Sequence, residues 1–227
     1  MIPLWSSERT YSPAVVTLLI IVVNVMVFAF ELTLPDPAPG YRVRGLTLST
    51  FITHYGIVPD RLHATSLITS MFLHGGLMHI VGNMWFLWVF GKGIEDLLGH
   101  VQFMVFYLLS GIAAGLVQTI LDPFSPVPTI GASGAIAGVM GAYLLKLPTA
   151  RIRTLIFLFI FITTVDIPAF FLLAYWFLIQ FLNGVGQIGH MEVNGGGVAW
   201  FAHVGGFLAG MALILLMPEQ RRVRTWY

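Results

Sequence analysis

Gly131-Ala132-Ser133-Gly134 opens an apolar run that ends at Leu147, and a lone serine stands where that run begins. Read as a helix, the run puts Ser133 in the first turn, where free backbone N–H groups and the positive end of the helix dipole favour negative charge. A serine becomes a nucleophile only with a base beside it and donors that hold the oxyanion. The base candidate is His203, in a second glycine-rich run, Ala202-His203-Val204-Gly205-Gly206-Phe207-Leu208-Ala209-Gly210. Gly131, Gly134 and Gly138 on one run, and Gly206 and Gly210 on the other, make small-residue stripes that let two helices approach closely in lipid. Such stripes also serve plain packing, but here one carries the serine and the other the histidine.

Composition says where these helices lie. The chain has 227 residues, 57% hydrophobic and 9% charged, where soluble domains run near a quarter charged. That is the composition of a polytopic membrane protein. A net charge of +1 offers no basic face for phosphates and excludes a nucleic-acid partner. The absence of cysteine excludes disulfides, thiolate metal sites and cysteine catalysis. Residues 1–13 lack a small-residue cleavage site and read as a short cytoplasmic tail leading into a retained first span.

The apolar runs predict an all-α bundle of six transmembrane helices in a single domain, at about residues 14–34, 66–90, 103–121, 133–147, 168–183 and 197–217. The loop at 35–64 is long enough to have work of its own. Gly91-Lys92 and Glu95-Asp96 are expected to close the second span. Residues 154–182 would make a helix of about 43 Å, too long for a core of ~30 Å. Asp166 and Pro168 divide it, so residues 154–165 are expected to lie along the inner interface. Pro168 would then sit in the first turn of the fifth span, where a missing N–H costs little.

Cations orient the bundle. With the N-terminus inside, Arg9, Lys92, Lys146, Arg151, Arg153, Arg221, Arg222 and Arg224 face the cytoplasm, and Arg42, Arg44 and Arg61 face out. This satisfies the positive-inside rule and makes both termini cytoplasmic. The fourth span covers about 21 Å, so Ser133 begins roughly 9 Å below the outer edge of the core. His203, six residues into the sixth span, lies about 9 Å deep as well. Serine and histidine share a depth.

A third element comes from the second span. His79 and Asn83 are four apart and share a helix face, while His74 sits roughly 140° round from His79. Polar side chains within a span are expensive and mark function by default. His79 and Asn83 could join the Ser133 N–H around an oxyanion; interhelical hydrogen bonding is their other use. Glu95 reads as a structural cap at the cytoplasmic end. Asp166 lies a membrane away from His203, so no carboxylate completes a triad and a dyad is expected. His54, His63, His100 and His190 read as loop or interface residues.

Together, Gly-Ala-Ser-Gly at 131–134, Ala-His-x-x-Gly-x-x-x-Gly at 202–210 and His-x-x-x-x-His-x-x-x-Asn at 74–83 resemble the rhomboid family of intramembrane serine proteases. Gly91-x-x-x-Glu95-x-x-x-Gly99 resembles the family's pattern after the second span. The resemblance implies Ser133 as nucleophile, His203 as base, His79 and Asn83 as oxyanion donors with His74 in support, and a 35–64 loop packed sideways into the membrane. Two features depart from the family pattern. The Trp-Arg pair often found in the first loop is replaced by Tyr41-Arg42 and Arg44, and Ala137 stands where some members have a tyrosine against the histidine. No cofactor and no metal are implied. The expected partners are the lipid bilayer and single-span membrane-protein substrates, and the expected location is the cell (inner or plasma) membrane. Two other readings use the same residues. A non-catalytic protein of this fold would bind membrane helices without cutting them, and its signature would be loss of Ser133 or His203. A metal or haem protein using His74, His79 and His203 would leave the glycine-flanked serine unexplained.

Overall fold

The computed structural model describes residues 1–36, 45–158, 161–187 and 198–220. Tyr41, Arg42, Arg44, His190 and the arginines at 221, 222 and 224 lie outside the described residues. The chain is mostly helical, and its centre is α6 (Ser133–Lys146), whose residues 134–143 are all buried. Glycine and alanine dominate that stretch, so its backbone can be approached from several sides. Around it stand α4 (Leu77–Leu98), α5 (His100–Leu121), α7 (Ala169–Gln187) and α8 (Trp200–Leu216). Helix α1 (Val15–Glu31) packs on α4 from outside. Phe90, Ile94, Phe103, Phe106, Tyr107 and Tyr143 fill the spaces between helices, each completely buried. Among the described residues, the helices at His100–Leu121 and Ala169–Gly186 are long and apolar enough to cross a membrane.

The second predicted span is displaced. Residues 66–76 are not its first turns but two short pieces, α3 (Ser66–Thr69) and a 3-10 turn at Ser70–Phe72, followed by Gly75-Gly76. The regular helix starts at Leu77 and runs straight through Gly91, Lys92, Glu95 and Asp96 to Leu98. Those carboxylates do not close their own helix; Glu95 caps the start of α1, and Asp96 holds the chain just ahead of it. Glu95 accepts the N–H groups of Val16 and Thr17, both at 2.8 Å, and Asp96 accepts those of Tyr11 and Ser12. Donors left open at a helix start are thus satisfied by an acid from a neighbour.

The all-α expectation fails at one place. Residues 154–158 and 161–165 form neither span nor helix but most of two antiparallel strands, β2 (Arg151–Leu158) and β3 (Phe161–Pro168), with β1 (Ile2–Ser6) added on the β2 edge. Ile152, Thr154, Thr163, Thr164, Val165 and Ile167 are β-branched, which favours strand over helix. Opposite each other in the register, Arg153 donates two hydrogen bonds to Asp166, at 2.8 and 2.9 Å. Pro168 ends β3, and α7 starts one residue later. The N-terminal tail is therefore strand: Ser6 Oγ meets the buried Tyr143 hydroxyl at 2.6 Å, and the Trp85 indole N–H donates to the Pro3 carbonyl.

Candidate active site

Ser133 is the first residue of α6, and no side chain caps that helix start. Its first-turn N–H groups stay available to a ligand or a reacting oxygen. The loop before it is held from two directions. Ile57 and Thr129 exchange backbone hydrogen bonds of 3.0 and 2.7 Å, and the Gly131 N–H donates to the Ser70 carbonyl at 2.9 Å. Thus the stretch from α2 (Leu48–Tyr55) to Phe72, rather than the helices alone, sets where Ser133 points. Gly131 has φ +117°, and a Cβ added there would lie 2.7 Å from His79 Nε2. Backbone conformation and space both require glycine.

Helices α6 and α8 touch backbone to backbone. A Cβ on Gly206 would stand 2.1 Å from the Gly134 carbonyl, and one on Gly210 would stand 2.0 Å from that of Gly138. That approach brings His203 Nε2 to 2.8 Å from Ser133 Oγ. On the other side of the ring, His203 Nδ1 is 2.7 Å from Gln180 Oε1. An amide oxygen carries no proton, so Nδ1–H donates and Nε2 is left bare to accept from the serine hydroxyl. Gln118 Oε1 accepts the Ala202 N–H at 3.2 Å and fixes the start of α8 just ahead of the histidine. No tyrosine lies one turn after the serine, and the imidazole is flanked instead by indoles. Trp176 lies at 5.8 Å and Trp200 edge-on at 6.3 Å, between ring centroids.

His79 and Asn83 turn toward the same loop. Beside Gly131, where its Cβ would be, stand His79 Nε2 and, at 3.5 Å, Asn83 Nδ2. The Gly75 N–H faces His79 Nδ1 at 3.4 Å, so Nε2 carries the ring proton and is the donor. Asn83 Nδ2 donates to His74 Nε2 at 3.0 Å, leaving that nitrogen's second proton free. The His74 ring lies 5.1 Å from that of His79, and its backbone N–H donates to the buried Glu31 carboxylate at 3.2 Å. Sequence alone does not single out Glu31 or Gln180: each stands between apolar neighbours, and the group it meets lies on another element of the fold.

The remaining candidates lie apart from this group. Asp166 is on the sheet with Arg153. His100 Nδ1 meets the α1-capping Glu95 at 2.6 Å. His54 and His63 line an open polar groove with Ser49, Thr50, Thr53 and Arg61. Among the described residues, no three His, Cys, Asp or Glu side chains come together as a metal would need.

The chain as a whole is similar in sequence to known proteins. The rhomboid-domain family model matches residues 61–220. "RHOMBOID-like protein 6, mitochondrial" of Arabidopsis thaliana is 33% identical over 156 residues, covering 68% of this chain and 44% of that protein. "Presenilin-associated rhomboid-like protein, mitochondrial" of Homo sapiens is 30% identical over 200 residues, 85% of this chain and 45% of that protein. "Rhomboid protease GluP" of Bacillus subtilis is 31% identical over 147 residues, 65% of this chain and 25% of that protein. The chain spans less than half the length of each of these relatives.

Proposed function

Since this chain belongs to the rhomboid family of membrane proteins, we propose that it is an intramembrane serine protease that hydrolyses peptide bonds in or near single transmembrane helices. The observation that carries this reading is the 2.8 Å bond between Ser133 Oγ and His203 Nε2. It also weighs against a non-catalytic member that only binds helices, for which neither side chain need be present or paired.

In the proposed reaction, Ser133 Oγ attacks the scissile carbonyl carbon while its proton passes to His203 Nε2. The carbonyl π bond opens and its oxygen takes the negative charge. The donors for that oxygen are the Ser133 N–H, the His79 Nε2–H and the second Asn83 amide proton. Collapse breaks the C–N bond, and His203 returns its proton to the departing amine. Water then repeats the sequence on the acyl-serine ester, with His203 as base, and frees the acid and Ser133. His74 holds Asn83, and Glu31 holds the backbone of His74; both are positioning residues. No step calls for a metal or cofactor.

In the same proposal the bundle has six spans, both termini cytoplasmic, and sits in the cell membrane with the site about 9 Å below its outer edge. The test is covalent labelling. A fluorophosphonate probe should modify the purified protein at Ser133, and Ser133→Ala and His203→Ala should each abolish labelling and cleavage of a transmembrane substrate. Members of such a unit are not additive, so the double variant should be little worse than either single. Full activity in Ser133→Ala would end the proposal.

A further inference from the structure

Resting on the serine-protease reading above, we propose that Gln180 is the positioning residue of the base: it holds His203 in the one tautomer that can take the Ser133 proton. The geometry gives it three qualifications. Its carbonyl oxygen lies 2.7 Å from His203 Nδ1, on the opposite side of the ring from the 2.8 Å contact to Ser133. It is buried, 7% exposed, so water does not compete for that nitrogen. And a neutral imidazole has one proton to place. If the proton moves to Nε2, the ring faces the serine as a donor and cannot act as base. An acceptor at Nδ1 opposes this shift directly.

An amide does this work differently from a carboxylate. It fixes tautomer and ring orientation without supplying charge to offset the imidazolium that forms during attack. Gln180 also ties the base to a helix that carries neither reacting side chain. It lies on α7, four residues after Trp176, which is close to the same imidazole. Both side chains line a cavity of about 230 Å³ whose other walls include Phe86 and Phe90 of α4 and Met140 of α6. The seating of α7 therefore bears on the alignment of His203 as well as on the shape of that cavity.

The experiment measures fluorophosphonate labelling and transmembrane-substrate cleavage by the full chain in lipid nanodiscs, for wild type, Gln180→Leu and Gln180→Glu. Wild-type labelling at Ser133, absent in Ser133→Ala, tests the protease reading itself. Without it, that reading fails before Gln180 is in question. Given labelling, Gln180→Leu should lower the maximal labelling rate and kcat by about ten- to a hundred-fold, short of the ~10²–10⁴ that a general base contributes outright. Its KM should stay within about two-fold, since the acceptor acts through the base rather than on bound substrate. Gln180→Glu keeps an acceptor at Nδ1 and should recover most of the lost rate. A carboxylate there also favours the imidazolium, so the acid limb of its pH–rate profile should move up by about one unit or more. Wild-type rates in Gln180→Leu, or an equal loss in both variants, would overturn the proposal. Should Gln180→Leu fail to fold, an unmoved acid limb in Gln180→Glu would overturn it instead.

Discussion

At the level of single residues, the candidate site depends on where protons sit. Asn83 spends one amide proton on His74 Nε2 at 3.0 Å and keeps the other for the reaction. Asn83→Ala should therefore lower kcat by roughly ten- to a thousand-fold, as losing one oxyanion donor does, with a smaller change in KM. A rise in KM at constant kcat would reassign Asn83 to substrate binding or packing. Gly131 is the second such position. An alanine there would have to adopt φ +117° and place its methyl against the His79 ring, strain of about 1–3 kcal/mol before any clash. Gly131→Ala should lose activity by displacing His79 and should melt earlier than wild type in a thermal unfolding scan. Unchanged turnover in that variant would mean that the loop relaxes without cost and that His79 is not held by it.

Between elements, contact is decided by what glycine leaves out. The Gly206 position meets the Gly134 carbonyl, one residue beyond Ser133. Backbone cannot swing aside as a side chain can, so Gly206→Ala must push α8 from α6 and stretch the Ser133–His203 bond. Overpacking of this kind costs about 1–3 kcal/mol, and stability and labelling rate should fall together. Gly82→Ala in α4, where a Cβ meets nothing within 4 Å, is the control and should leave both unchanged. The sheet makes a separate prediction. Ser6→Ala removes the partner of the buried Tyr143 hydroxyl and should cost about 1–3 kcal/mol of stability while Ser133 labelling persists. What could be read from sequence divides along the same line. Ser133 and His203 each stand beside a glycine stripe at adjacent or helical spacing, so each half of the pair shows in one dimension although 70 residues separate them. The strand at residues 2–6 pairs with one about 150 positions later, and an apolar run such as 154–165 suits a buried helix as well as a strand. Its β-branched residues were the available signal, outweighed by the membrane composition around them. Gln180 and Glu31 were hidden for a related reason: each meets its partner only after α7 and α1 have docked.

For the molecule as a whole, the inner and outer ends do different work. At the proposed cytoplasmic end, structure is tied down by β1–β3, by the Lys146–Glu219 ion pair at 2.7 Å, and by Glu95 and Asp96, which hold the start of α1 and the chain just ahead of it. The atoms proposed to react lie at the other end, where α6 starts late and non-helical backbone at 126–131 rests on the Ile57–Phe72 segment. Such backbone is tolerated at membrane depth only where protein or a water-filled cavity surrounds it. A substrate faces the complementary difficulty. Within a regular helix, the scissile carbonyl is committed to an intrahelical hydrogen bond and shielded by its own turn. It must unwind to reach Ser133, and unwinding in hydrocarbon leaves polar groups without partners. The cost is lowest near the outer interface, at the ~9 Å depth proposed for the serine, and in segments with Gly, Pro or other poor helix formers. On the proposed reading, the glycine- and alanine-rich surfaces around Ser133 suit a small side chain at the cut. Cleavage should therefore fall near the extracytoplasmic end of single-span substrates, after Ala, Gly or Ser. Replacing Gly and Pro near the cleaved bond with Leu should lower kcat/KM, and a bulky residue at the bond itself should do the same. Equal rates for stiffened and native substrates would show that unwinding does not limit entry, and the site would then have to accept an intact helix.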